Sequence, residues 1–167
     1  MPTRFFFDTE FLAASTPGHA SYHLISIGIA AEDGRELYLE NADFDWSDPR
    51  VSPWLSENVR PHLDGPGAAV SVPAQQMAGT ITSFVGSAPD PQFWAYNGAS
   101  DWVVLMSLFG DMLNRPAGWP SAFRDLKHYF EALGVAKADL PPHDGPEHHA
   151  LADALWDRTC FMAAASL

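Results

Sequence analysis

The stretch Arg4-Phe5-Phe6-Phe7-Asp8-Thr9-Glu10-Phe11 constrains the fold more than any other part of this sequence. Its phenylalanine run predicts a buried β-strand over residues 4–9. In a strand, alternate side chains share a face, so Asp8 and Glu10 point the same way and Thr9 points to the other side. Desolvating a carboxylate costs energy, and two like charges side by side need a cation between them.

Two further strands are expected at residues 23–31 and 35–40, joined through Glu32-Asp33-Gly34, because Asp-Gly between apolar runs marks a hairpin. Residues 41–72 are rich in Pro, Trp, Asp and Ser and show only a short helix after Ser52-Pro53. Met77, Ile81, Phe84 and Val85 recur at helical spacing over residues 73–85, behind a Pro73 suited to a first turn. A strand over 91–96 is broken by Asn97-Gly98-Ala99-Ser100, and a helix is expected from Asp101 to about Leu113. A strand at 122–126 then leads to a helix stopping at Gly134, a Pro-rich loop over 137–147, and a terminal helix from His148 to about Ala165. Early strands followed by alternating helices and strands describe an α/β fold, one mixed sheet with helices on its faces, in a single domain spanning 1–167.

Nine basic against twenty-one acidic residues give a formal charge of −12, which disfavours the broad basic face of a nonspecific nucleic-acid clamp. Any polyanion must be held locally, by metal and by stacking. The one cysteine, Cys160, cannot form an internal disulfide, and its neighbours Thr159, Phe161 and Met162 suggest a buried thiol in a reducing cytoplasm. No signal peptide is visible at the N-terminus, and no stretch reaches the ~18 apolar residues of a membrane span, so a soluble protein with no membrane partner is expected.

Acids and histidines stand at three structural edges: Asp8 and Glu10 at a strand end, Asp101 at a helix start, and His148 with Asp153 on the last helix. Four carboxylates with almost no sulfur favour hard ions such as Mg²⁺ or Mn²⁺ over structural zinc. Two such ions roughly 3.5–4 Å apart can activate a water and stabilise the leaving oxygen of a phosphodiester. A histidine beside them, with a reference pKa near ~6.5, suits removal of that water's proton.

Three motifs occur in order: Asp8-Thr9-Glu10 after an apolar strand, Asn97-Gly98-Ala99-Ser100-Asp101 opening a helix, and His148-His149-Ala150-Leu151-Ala152-Asp153-Ala154. In these the chain resembles the DEDD superfamily of 3′–5′ exonucleases, in the histidine-bearing DEDDh branch that includes proofreading exonucleases, ribonuclease T and oligoribonuclease. The length and the phrases DTEFL and WAYNGASDWVVL look most similar to the small stand-alone exoribonucleases. The resemblance spans essentially the whole chain and implies a ribonuclease H-like mixed β-sheet flanked by α-helices. It further implies two Mg²⁺ or Mn²⁺ ions held by Asp8, Glu10, Asp101 and Asp153, with His148 as general base. Asp8 would bridge both ions, Glu10 and Asp153 would complete the water-activating site, and Asp101 would support the second ion. Phe11, Leu12 and Asn97 would meet the substrate, with Phe11 or Leu12 as a wedge or stacking surface on the terminal bases, against plain core packing as the alternative. The implied partner is single-stranded nucleic acid, RNA favoured, and the implied assembly a homodimer.

Other readings stay open on the residues alone. Asp101 also suits the helix N-terminal dipole, worth roughly 0.3–1 kcal/mol. On an ideal helix His149, four residues before Asp153, shares its face. His148 can serve only at a loop-to-helix junction, which Gly145-Pro146 permits. Asp157 is expected as a solvated helix position, and Trp46, Trp54 and Trp119 as anchors of their loops. The competing functions are a DNA exonuclease, a hydrolase of very short nucleotides, and a catalytically silent binding module. The silent module predicts a missing carboxylate, and none of the four is missing.

Overall fold

The computed structural model describes residues 1–165, in which six strands form one mixed sheet. The strands are β1 (Thr3–Ala13), β2 (Tyr22–Ala31), β3 (Glu36–Asn41), β4 (Ser71–Val72), β5 (Pro91–Ala95) and β6 (Arg124–Asp125), in the order β4-β3-β2-β1-β5-β6. The β1–β2–β3 meander is antiparallel, and β5, β6 and β4 join in parallel. The hairpin expected at Glu32-Asp33-Gly34 joins β2 to β3, with Gly34 at φ 94.

Strand alternation divides the phenylalanine run between two cores. Phe5 and Phe7 face the helices α2 (Ala74–Val85) and α3 (Ala99–Ser107), packing with Met77, Ile81 and Trp102. Phe6 points to the opposite face and meets α4 (Leu126–Leu133) and α5 (Ala150–Ala164) at Phe130, Ala154 and Phe161. All three phenylalanines are fully buried. A third cluster lies under the short helix α1 (Pro53–Asn58), whose Ser52 hydroxyl caps it by accepting from Leu55 N–H.

Several boundaries differ from expectation. β1 runs to Ala13, carried past the carboxylates by a bulge between Glu10 and Phe11. α3 ends at Ser107 and not near Leu113, because Gly110 (φ 91) turns the chain and the Asp111 carboxylate caps a separate 3₁₀ turn at Met112–Asn114. The strand expected over 122–126 contracts to Arg124–Asp125, since Asp125 accepts from His128 N–H and starts α4. α5 begins at Ala150 rather than His148. No helix among the described residues is long and apolar enough to cross a membrane.

One close approach positions the site. Gly28 on β2 pairs with Asp8, and a Cβ there would fall 2.3 Å from Leu151 Cα. The bare backbone lets the first turn of α5 lie directly on the sheet, beside the stretch of β1 that carries Asp8 and Glu10.

Candidate active site

Beside the middle of β1, residues from both helical layers converge on a cleft of about 410 Å³, lined by Asp8, Glu10, Asp101, His148, Asp153 and Asp157. Asp8 and Glu10 come from β1, on the face turned toward α5. Asp153 lies in α5's first turn, and oxygens of Asp8, Glu10 and Asp153 lie within 4.8 Å of one another. Asp101 arrives from the opposite layer, in the first turn of α3. Its Oδ1 accepts both the Thr9 backbone N–H (3.1 Å) and the Thr9 hydroxyl (2.6 Å), so the alternation that sends Thr9 away from its neighbours also ties α3 to β1.

The electrostatics of this cluster are unfavourable without a cation. Burial, then the charges of Asp101, Asp153, Glu10 and Asp157, raise the Asp8 carboxyl well above its usual range. Burial with Asp153 and Asp101 pushes Glu10 up to about 8. Burial raises Asp101 against the opposing Thr9 hydrogen bonds, and raises Asp153 against the opposing effects of His143 and His148. Two unit charges ~4 Å apart repel by about 4 kcal/mol at an effective dielectric of ~20. A hydrogen bond returns only about 1 kcal/mol, so a divalent ion is the economical neutraliser. The all-oxygen donor set of Asp8, Glu10 and Asp153 fits such an ion.

The two histidines have separate surroundings. His148 has φ 64 and sits at the loop-to-helix junction, its ring in a T-shaped contact with Trp54 at 4.7 Å between centroids and lining the cleft. His149 is the N-cap of α5: its Nδ1 accepts from Ala152 N–H at 3.2 Å, and its ring stacks on Tyr38 at 4.4 Å.

Phe11 and Asn97 line the cleft. Leu12 does not: it is 3% exposed and packs with Ile25, Leu55 and Val59, so of the pair only Phe11 reaches the cleft, while also packing on the main core and against Tyr22. Phe11 and Leu12 are consecutive residues of β1, so strand alternation turns them to opposite faces. Asp157 corrects a second expectation, being 4% exposed and not solvated. It faces the cleft from the turn after Asp153, accepts from Tyr96 N–H at 2.9 Å, and has a carboxyl raised chiefly by burial. Its spacing of four from Asp153 was the available sign of a shared face. Two more residues touch side chains of the cleft: Trp54, which was expected as a loop anchor and lies in α1, and His143, which the sequence reading did not single out. Trp54, 48% exposed, stands against His148, and His143, from the Pro-rich loop, bonds Asp153 Oδ1 at 2.9 Å. Trp54 comes from a six-residue helix and His143 from an irregular loop, both too short of periodic pattern for spacing to carry information.

Residues 3–165 match the family model described as "3'-5' exoribonuclease Rv2179c-like domain". The 3′–5′ exoribonuclease Rv2179c of Mycobacterium tuberculosis H37Rv is 35% identical over 153 residues, 90% of this chain and 86% of that protein. Among solved structures, Schizosaccharomyces pombe Pop2p in its Mg²⁺- and Mn²⁺-bound form superposes with TM-score 0.72 at 17% identity, over 98% of this chain and 82% of that one. Escherichia coli Exonuclease I in complex with a dT13 oligonucleotide superposes with TM-score 0.62 at 17% identity, over 99% of this chain and 41% of the larger protein. These likenesses identify the sheet and its flanking helices as the ribonuclease H-like exonuclease fold.

Proposed function

The chain belongs to the family of Rv2179c-like 3′–5′ exoribonuclease domains, and from that premise we propose that it removes nucleotides one at a time from the 3′ end of single-stranded RNA, releasing nucleoside 5′-monophosphates. The observation that carries the mechanism is the convergence of Asp8, Glu10 and Asp153 within 4.8 Å, with Asp101 and His148 on the same cleft. Asp8, Glu10 and Asp153 would hold Mg²⁺ or Mn²⁺, with Asp101 supporting a second ion. When bound, the two ions supply an activated water and stabilise the leaving oxygen. A ring nitrogen of His148 takes that water's proton, while His149 is occupied in capping α5.

Phe11 lining the cleft and Trp54 beside His148 offer aromatic faces to the terminal bases. Stacking, worth ~1–3 kcal/mol per base, tolerates any sequence and needs no basic surface, which reconciles a polyanionic substrate with a charge of −12. RNA is preferred because the curated relative is named an exoribonuclease. The oligonucleotide in the Exonuclease I structure keeps DNA as the second arm of the test. The free, buried Cys160 accords with a cytoplasmic site of action, and a homodimer belongs to the same proposal.

The test uses matched 5′-labelled RNA and DNA oligomers from dinucleotides upward, with Mg²⁺, Mn²⁺ or chelator, and Asp8→Ala alongside. A metal-dependent ladder shortening from the 3′ end, faster on RNA and lost in the variant, is expected. Absence of shortening on either polymer at every length would overturn the reading.

A further inference from the structure

The Pro-rich loop 137–147 is docked on α5 at consecutive points of one helix face. Trp156 donates its indole N–H to the Pro141 carbonyl at 2.9 Å, and the His143 ring lies against the Trp156 ring at 5.7 Å. Gly145 sits so close to the helix that a Cβ there would meet Ala152 Cβ at 2.8 Å. Pro141 and Pro142 restrict the backbone between these contacts, so little entropy is lost in holding it there. At the centre of this clamp His143, its side chain only 15% exposed, places Nε2 2.9 Å from Asp153 Oδ1.

The hydrogens follow from the partners. A carboxylate only accepts, so Nε2 carries the proton and donates it. Nδ1 lies 3.0 Å from the Gly145 carbonyl and 3.3 Å from the Gly145 N–H, so a backbone partner serves it in either form. An imidazole can donate to the carboxylate while neutral. A lysine or arginine at this place would bring a full charge, compete with a divalent ion and neutralise the cluster that attracts it.

We propose that His143 is a positioning residue for the metal centre: its Nε2–H holds Asp153 Oδ1 and thereby turns the other carboxylate oxygen toward the ion shared with Asp8 and Glu10. The inference rests on the metal site of the proposed function and assigns a role to a loop outside the sequence motifs. Such outer contacts commonly change metal affinity by roughly 10–100-fold.

The test is direct Mn²⁺ titration, by calorimetry and by loss of the free-ion electron paramagnetic resonance signal, on wild type, His143→Ala, His143→Gln and Gly145→Ala. Thermal unfolding in chelator verifies that each is folded. Expected are Mn²⁺ dissociation constants at least tenfold weaker in His143→Ala and in Gly145→Ala, which pushes the loop off α5. His143→Gln, whose amide can still donate at the Nε2 position, should stay within about threefold of wild type. Saturating Mn²⁺ should restore much of the turnover of His143→Ala with the KM for RNA unchanged. Wild-type affinity in His143→Ala, or equal weakening in the Gln and Ala variants, overturns the positioning role. Failure of the wild type itself to bind Mn²⁺ overturns the metal site beneath it, an outcome read independently of the variants.

Discussion

Asp157 shows how one side chain serves fold and site in opposite senses. Its carboxylate accepts the Tyr96 N–H, fixing the end of β5 just before the turn that presents Asn97 and Asp101, and it adds another negative charge to a cleft already short of cations. Asp157→Ala leaves that N–H without its acceptor and should lose about 1–3 kcal/mol of stability. Asp157→Asn keeps an oxygen acceptor and removes the charge. Urea unfolding at pH 8 in chelator should therefore rank Asn at or above wild type and Ala below it. An Asn variant as unstable as Ala would mean that the charge itself is required. Thr9 carries a comparable lesson: it is not expected to touch metal, yet two hydrogen bonds from it set where Asp101 stands.

Among the elements, α5 matters most, since it crosses β1 and β2 and brings Asp153, Asp157 and the His148 junction to Asp8 and Glu10 on β1. Its approach depends on the absent side chain at Gly28. Gly28→Ala places a methyl within 2.3 Å of the helix backbone, which cannot yield as a flexible side-chain tip would. Overpacking of this kind costs typically about 1–3 kcal/mol. Because relief requires α5 to lift, the Mn²⁺ affinity should fall along with the urea midpoint, whereas a core truncation remote from α5, such as Met77→Ala, should lower the midpoint and leave Mn²⁺ affinity unchanged. Equal metal affinity in Gly28→Ala and wild type would show that α5 can shift without moving Asp153.

Across the whole molecule, the charge of −12 and the acidic cleft couple stability to metal and to pH. The native carboxyls of Asp8 and Glu10 titrate higher than in an unfolded chain, Glu10 at about 8, so between about pH 4.5 and 8 the native state holds protons that the unfolded state has released. More protons on the native state means that stability falls as pH rises through this window. In chelator the unfolding temperature should drop from pH 5.5 to 8, less so in Asp8→Asn. At pH 8, Mn²⁺ at a hundredfold excess over its dissociation constant should return about 2.7 kcal/mol. An unfolding temperature that climbs with pH in chelator would contradict the like-charge cluster.

The sequence by itself determined the parts that depend on local spacing. The phenylalanine strand, the Asp-Gly hairpin, the helical stripe of Met77 and Ile81, and the three motifs placed Asp8 and Glu10 on one face of a strand and Asp101, His148 and Asp153 at helix starts, which the mixed sheet brings to one cleft. Periodicity and turn chemistry are properties of neighbours along the chain, so they can be read there. Tertiary structure alone decided what depends on register and on contacts between distant segments. Packing put Leu12 into the cluster under α1 and left Phe11 on the cleft, and burial converted Asp157 from a surface charge into part of the cleft. The capping of α5 gave His149 a partner outside the acidic cleft, and the short helix α1 and the Pro-rich loop delivered Trp54 and His143 to the edge of that cleft. Those outcomes turn on which atoms lie a few ångströms apart after folding, and a linear pattern does not encode that distance.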